Sequence, residues 1–514
     1  MSVDTLRETF HINRISNFYL QDFLTAQTYR PEITAAKKHI LGLNNCTLQS
    51  VCTKLIQQGK SPKYSSEGLK CLKPRNTNTM LVSIDDIDWI DISTKEKIQN
   101  QRVSYGDILI TRSGSGTIGR ASIYPYKDDN VYVNDHLFIV RPDKADSHYV
   151  CSYLGSYFGQ RLLEAGISGS TGQLNLSNQH IKSIRLFEPD INIQKYIGDK
   201  VRQAEELRAW AKELESEIEQ VLNTSEYLVA CNTPDTKISH PTLNDLSNRL
   251  DPKYYDSKAI AVERFTKKSG TLLGSLIKSI ANGFEERNFV NEGVPYITVT
   301  EVSSGRLNVQ DAPQIGSDIS IPSKAIIHER CVLVVRTGSI GTAIKVNILD
   351  KGCVISSHLI RLEFEEEETA AAVSVFLNST AGKILLHKIS YGAVQPQIGQ
   401  EELLALYIPD YVLNKKTTCL TLLENYELTT RASKSLIRTA KTLVEALIEG
   451  QLTEGQLIKA QQALEDGDNT LDKAILSKLS SEGYAVEGAT PLFSDIDELY
   501  SLLASATAAA DSED

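Results

Sequence analysis

Methionine and tryptophan are nearly missing from this chain, two of each in 514 residues, and no stretch approaches the ~18 consecutive apolar residues of a membrane span. The opening, Met1 to Phe10, mixes charged and polar side chains instead of leading into an apolar run, so it does not read as a secretory signal. The expected address is the cytoplasm, with no membrane partner. Cysteine never occurs as Cys-x-x-Cys. Cys46, Cys52, Cys71, Cys151, Cys231, Cys331, Cys353 and Cys419 are scattered, which argues against a structural zinc site or a thioredoxin-like motif and favours reduced, buried thiols.

An excess of positive charge is also lacking. The chain holds 54 Lys and Arg against 65 Asp and Glu, a net charge of -11, which at first excludes a polyanion as ligand. The imbalance is local, however: residues 451–514 carry 13 acidic and three basic side chains, leaving 51 basic against 52 acidic in the other 450 residues. A locally basic face therefore stays compatible with the composition. At 514 residues the chain exceeds what one hydrophobic core supports, so two to four domains are expected.

What the chain does contain is a repeat of roughly 220 residues, with three anchors in the same order. The first pairs Leu48 to Gly59 with Leu272 to Gly283, a short helix-like apolar pattern ending at glycine, and both copies continue to Glu-Gly, at Glu67-Gly68 and Glu292-Gly293. The second pairs Gly106 to Gly119, with Arg112 before a glycine turn, with Arg330 to Gly341, with Arg336 in the same place. Each reads as a β-branched strand entering a turn. Downstream, Asn134-Asp135-His136-Leu137 matches Ser356-Ser357-His358-Leu359. The third anchor is a Gly/Ser/Gln-rich stretch, Ser168 to Asn178 and Tyr391 to Gln400, followed by a strand-like run and Pro-Asp at Pro189-Asp190 and Pro409-Asp410.

A helix follows each Pro-Asp. Ile193, Ile197, Ala204, Leu207, Ala211, Leu214, Ile218 and Val221 recur at three- and four-residue steps, and Leu423, Tyr426, Ile437, Ala440, Val444 and Leu447 form a stripe in a second helix from about Lys415 to Glu449, stopping at Gly450. The expected fold is α+β and pseudo-twofold, two related globes joined by two long antiparallel coiled-coil helices. Its boundaries would be 1–190 and 231–412 for the globes, 191–230 and 413–450 for the helices, and 451–514 for an acidic extension. Helices of ~30 residues are ~45 Å long and would hold two weak readers at fixed separation, as a split site on duplex DNA requires.

Gly106-Asp107-Ile108-Leu109 leading to Arg112-Ser113-Gly114 and Ile118-Gly119, then Asn134 to Leu137 and a long helix after Pro-Asp, resembles the target recognition domains of type I restriction-modification specificity subunits. The likeness spans about residues 15–450; Arg249-Leu250-Asp251-Pro252-Lys253-Tyr254-Tyr255 resembles the start of such a domain, and Tyr29-Arg30-Pro31-Glu32 is a looser counterpart. The resemblance implies a non-catalytic, sequence-specific DNA-binding subunit without cofactor, each globe reading half of a bipartite double-stranded target. It also implies two docked methyltransferase subunits, with restriction subunits joining for cleavage. Alternatives are the specificity subunit of a type IIB or other defence methylase and, behind it, a protein-binding scaffold.

Candidate DNA contacts follow from residue chemistry. Arg112 and Arg336 suit guanine or phosphate, or brace their turns through carbonyls. Ser113, Ser115, Thr117, Thr337 and Ser339 suit phosphate, though turn chemistry alone also places hydroxyls there. Lys60, Lys63 and Tyr64 occupy a stretch where the second copy has Glu285, Glu286 and Arg287, so the two globes differ where they would touch bases; Arg287 joins the candidates. Gln173, Asn175, Gln395 and Gln397 could read adenine, or merely be solvated. His136 and His358 recur without partner ligands at metal spacing, which favours a ring bonded to nearby backbone and no metal. Gly114 to Gly119 fits Gly-x-Gly-x-x-Gly, but Ala121 to Tyr126 reads as a strand rather than the helix a nucleotide site needs. A nuclease built from Asp235, Asp251 and Lys253 would put Pro252 inside its strand. The tail is either an amphipathic helix through Phe493, Ile496, Leu499, Leu502 and Leu503 that docks a partner or mimics DNA charge, or a partly disordered solubilising segment.

Overall fold

The structure, a computed structural model, describes residues 14–17, 20 and 25–513, apart from 78, 115, 128–129, 170–173, 237, 250, 304 and 393–394. The chain divides into two compact units, Met1–Trp210 with Thr430–Asp514, and Ala211–Thr429.

The first unit runs α1 (Pro31–Leu41), β1 (Asn45–Thr47), β2 (Gln57–Gln58), β3 (Tyr64–Ser65), β4 (Leu69–Leu72), β5 (Asp88–Ile90), β6 (Ile108–Thr111), β7 (Ala121–Ile123), β8 (Val131–Val133), β9 (Leu137–Val140), α2 (Ser147–Gly155), α3 (Tyr157–Glu164), β10 (Ile167–Ser168), β11 (Asn175–Leu176), α4 (Asn178–Ser183), β12 (Arg185–Phe187) and most of α5 (Ile191–Leu222). Two four-stranded sheets have the orders β2-β9-β6-β7 and β3-β5-β4-β8, and β1 pairs with β12. β6 lies between β9 and β7 and is buried on both faces, which is why Ile108-Leu109-Ile110 lacks the alternation of a half-exposed strand. Leu72, Leu109, Val131, Val133, Leu137 and Ile139 bring both sheets into one core.

The second unit follows with α6 (Ser225–Cys231), α7 (Ser257–Lys268), β13 (Gly270–Leu272), α8 (Leu273–Leu276), β14 (Ile277–Asn282), β15 (Phe289–Val290), β16 (Val294–Ile297), α9 (Val299–Val302), β17 (Gln314–Ile315), β18 (Cys331–Val335), β19 (Ala343–Lys345), β20 (Val354–Ile355), β21 (Leu359–Phe364), α10 (Glu367–Asn378), α11 (Thr380–Ile389), α12 (Gln400–Leu404), β22 (Tyr407–Pro409), α13 (Asp410–Leu413) and the start of α14 (Lys416–Ile448). Its sheets, β14-β21-β18-β19 and β15-β17-β16-β20, and its β13-β22 pair repeat the first unit strand for strand. Even the parallel pairs coincide, β4 with β8 and β16 with β20. The duplication read from three anchors is thus a duplication of topology.

α5 carries most of its expected stripe inward, with Ile193, Ile197, Ala204, Leu207, Ala211, Leu214 and Val221 buried and Ile218 half-buried; in α14 Ala440, Val444 and Leu447 are buried, but Leu423, Tyr426 and Ile437 are half-buried and their neighbours Leu422 and Leu436 are buried instead. Within the first unit the Ser433 hydroxyl donates to the Ala204 carbonyl, and within the second the Tyr411 hydroxyl donates to the Leu222 carbonyl. Gly450, at φ 74°, ends the α14 segment as expected. One expectation fails locally. Leu48 to Gly59 is a turn leading into β2, and its counterpart is the four-residue α8 leading into β14, because both stretches supply the edge strand beside β9 and β21.

The tail folds as α15 (Glu454–Glu465), α16 (Thr470–Leu476) and α17 (Ile496–Glu513), with Leu457, Ile475, Leu476, Leu499 and Leu502 buried. Among the described residues no single helix is long and apolar enough to cross a membrane. Of the eight free cysteines only Cys46 is not fully buried.

Candidate nucleic-acid interface

β6 delivers Arg112 to a junction of four segments. The Arg112 amide donates to the His136 carbonyl at 2.8 Å, and its carbonyl accepts from the Leu176 amide at 2.9 Å. Ser113 forms a β-bridge with Asn175, and its hydroxyl is hydrogen-bonded to His136 Nδ1. The His136 amide donates to Asn134 Oδ1 at 3.1 Å, and Asn134 Nδ2 approaches the Tyr64 hydroxyl at 3.5 Å. The segment from Gly59 closes the junction: its amide donates to Leu137 at 3.0 Å, and a Cβ there would lie 2.1 Å from the Asn134 carbonyl oxygen. This close approach is why the first anchor ends at glycine.

The second unit builds the same junction with other side chains. The Arg336 amide donates to the His358 carbonyl at 2.9 Å, and the Arg336 carbonyl accepts from Ile398 at 2.9 Å. Thr337 bridges Gln397, and a Cβ on Gly283 would lie 2.1 Å from the Ile355 carbonyl oxygen. Three sequence anchors, far apart along each copy, therefore meet at one place.

The candidates divide accordingly. Arg112, Ser113 and Asn175 stand together in the first unit, as do Arg336, Thr337 and Gln397 in the second. Among the described residues neither arginine is paired with a carboxylate, and Arg336 Nη1 reaches the Ser357 carbonyl at 3.4 Å, a partial turn brace. Thr337 is buried, whereas Ser339 and Gln395 are exposed on the adjoining loops. Thr117 sits in the turn, its amide donating to Gly114 at 3.2 Å. Lys60 is exposed, with its carbonyl accepting from Gln101 at 3.1 Å. Lys63 is exposed but paired with Asp91 at 2.9 Å; hydrogen bonds from Lys63 and Ser93 hold that carboxyl down at about 2. Arg287 is exposed and folds back onto Glu285, while the Glu286 carboxylate accepts from the Asn288 and Arg287 amides, which lowers its pKa. Ser115 and Gln173 lie outside the described residues. The His136 ring engages a side-chain hydroxyl rather than backbone, and both His136 and His358 are exposed.

Two roles escaped the sequence reading. Arg249 forks its guanidinium onto the Ile389 and Ser390 carbonyls at 2.7 and 2.8 Å while pairing with Asp251 at 2.7 Å, which anchors the end of α11 just before the Tyr391–Gln397 loop. Thr28 plays the looser counterpart, its hydroxyl donating to the Ala165 carbonyl beyond α3 at 3.0 Å. The other is Phe289, whose strand register makes it the equivalent of Tyr64.

Residues 43–220, from just before β1 nearly to the end of α5, match the family model described as the type I restriction modification DNA specificity domain. That stretch is similar to a DNA specificity domain. The sheets of the second unit, which lie beyond the matched residues, repeat the strand order of this stretch. No curated protein matches the chain. Among solved structures, a type I restriction-modification system S subunit from M. genitalium is similar at 12% identity and a TM-score of 0.39, over 77% of this chain and 95% of that one. The HsdS subunit from Thermoanaerobacter tengcongensis is similar at 13% identity and 0.28, over 80% and 97%.

Proposed function

We propose that this chain is the target-reading subunit of a type I restriction-modification complex in the cytoplasm, with each specificity domain reading one half of a bipartite DNA site. The observation that carries the reading is the repeated junction: one backbone frame presents Arg112, Ser113, Asn175 and Tyr64 in one unit and Arg336, Thr337, Gln397 and Phe289 in the other. An identical frame with different side chains is what two readers of different sequences need, since hydrogen-bonding edges specify bases while the frame fixes register. Lys60, Lys63, Arg287, Ser339 and Gln395 belong to the loops around these frames and supply further contacts to bases or phosphates. The functional boundaries are 1–190 and 231–412 for the readers and 191–230 and 413–450 for the helices, with 451–514 as an appended segment. The helices fix the unread gap and dock two methyltransferase subunits; the chain itself performs no catalysis, and restriction subunits join for cleavage.

The test is co-expression with the neighbouring methyltransferase subunit, followed by mapping of N6-methyladenine across the host genome. A single split motif with a fixed gap is expected, and exchanging residues 231–412 for those of a relative should change one half-site only. A stable, active complex without any motif would leave the protein-scaffold reading in its place.

A further inference from the structure

Phe289 and Tyr64 occupy the same place in the two units. Tyr64 pairs with Ile90 and Phe289 with Ile315, both at the first strand of the second sheet, and both rings are exposed, at 44% and 52%. Aromatic rings are ordinarily buried, and the cross-strand partners Ile90 and Ile315 are fully so. Each ring is also held beside its junction. Asn134, from the His136 loop, approaches the Tyr64 hydroxyl, and Lys73 Nζ stands 4.0 Å from the Tyr64 ring centre. The Phe289 ring lies 6.0 Å from that of Tyr296, whose hydroxyl donates to the Phe284 carbonyl at 2.6 Å; the Phe284 carbonyl in turn accepts from the Ser357 amide. Of the acidic neighbours, Glu285 is occupied by Arg287 and Glu286 by two backbone amides.

An exposed Phe289–Val290 pair is far too small for a protein interface, which needs about 800 Å² on each partner. A phenyl ring offers no hydrogen bond, and the group in the major groove that an apolar side chain distinguishes is the thymine methyl. We propose that Phe289 is a specificity-determining residue of the second half-site, placing its ring against one thymine methyl, while Tyr64 holds the corresponding station in the first. This rests on the two-reader function above.

The experiment uses the full chain in complex with its methyltransferase and duplexes carrying the motif read from wild-type methylation. Each thymine of the second half-site is replaced in turn by deoxyuridine, which removes only the methyl. At one position the wild type should lose about fourfold in affinity, the effect of one buried methyl group. F289A should show a similar loss on the thymine duplex and no further loss on the deoxyuridine duplex, with an unchanged Tm because the ring is exposed. Tyr64→Ala should leave that position unaffected. Equal binding of F289A and wild type at every position, a second half-site without thymine, or an F289A effect confined to the first half-site would each overturn the assignment. If the wild-type complex binds motif and scrambled duplexes equally, the two-reader function itself fails, and the assignment with it.

Discussion

Gly59 and Gly283 mark where single atoms decide the architecture. At each, the missing Cβ lets an edge segment pass against a carbonyl of the loop that carries His136 or His358. A methyl group at 2.1 Å from a backbone oxygen has no flexible neighbour to displace, so the backbone itself must move. G59A and G283A are each expected to destabilise by about 1–3 kcal/mol, as overpacking does. They should also act on different half-sites: G59A should relax the first half of the methylation motif and G283A the second, read by thermal unfolding together with methylation mapping. Loss of both half-sites from either variant would show that the junctions do not work independently.

Among elements, the end of α11 is the one whose placement matters most to the second junction. It leads into the Tyr391–Gln397 loop, whose two ends exchange amide-to-carbonyl hydrogen bonds at 2.9 and 2.8 Å before Gln397 bridges Thr337. Arg249 satisfies the Ile389 and Ser390 carbonyls, Lys253 donates to the Ser390 hydroxyl at 3.0 Å, and Lys388 donates to the Tyr254 carbonyl at 2.6 Å, so the segment from 249 to 255 staples that helix end. R249A is expected to destabilise the second unit by about 1.5–3 kcal/mol, the range for hydrogen bonds to a charged group, and to loosen only the second half-site. Lysine should not rescue it, because one ammonium cannot span two carbonyls and a carboxylate as a planar fork does. Equal activity of R249K and wild type on a motif reporter would count against the staple.

At the scale of the whole molecule the acidic tail changes meaning. Asp472 and Lys200 are each 1% exposed and meet at 2.8 Å, and the Tyr196 and Tyr500 hydroxyls also donate to the carboxylate. This cluster fastens the tail to α5 within the first unit. Burial by itself would raise the Asp472 pKa, but the Lys200 charge and the three donors outweigh it and the net shift is downward. A carboxyl with a depressed folded-state pKa contributes stability that is complete above its unfolded value of about 3.9 and is lost as the pH falls through the folded value. D472N should therefore cost about 3–5 kcal/mol near neutral pH, since it leaves a buried lysine uncompensated. In urea titrations the gap between wild type and D472N should narrow as the pH drops below about 4. A constant gap would mean the carboxylate is not what binds the tail.

Much of this was legible beforehand. The Arg turn, the His loop and the Pro-Asp before each helix exposed the duplication, and the apolar periodicity placed α14 nearly to the residue, whereas α5 starts where expected but ends at Leu222, short of the expected 230. The Glu67-Gly68 and Glu292-Gly293 anchor even carried the offset that aligns Tyr64 with Phe289, but counting from Gly59 and Gly283 sets Tyr64 against Asn288, one residue short. Register settles that pairing, and register belongs to the sheet. The sequence by itself determined a twofold repeat of one domain with intervening helices, since each element's pattern needs only its neighbours in the chain. The tertiary structure alone decided that the anchors converge on one junction and that the acidic tail is folded, because hydrogen bonds such as Arg112 to Leu176 and an ion pair 272 residues apart depend on which surfaces the packed core brings together.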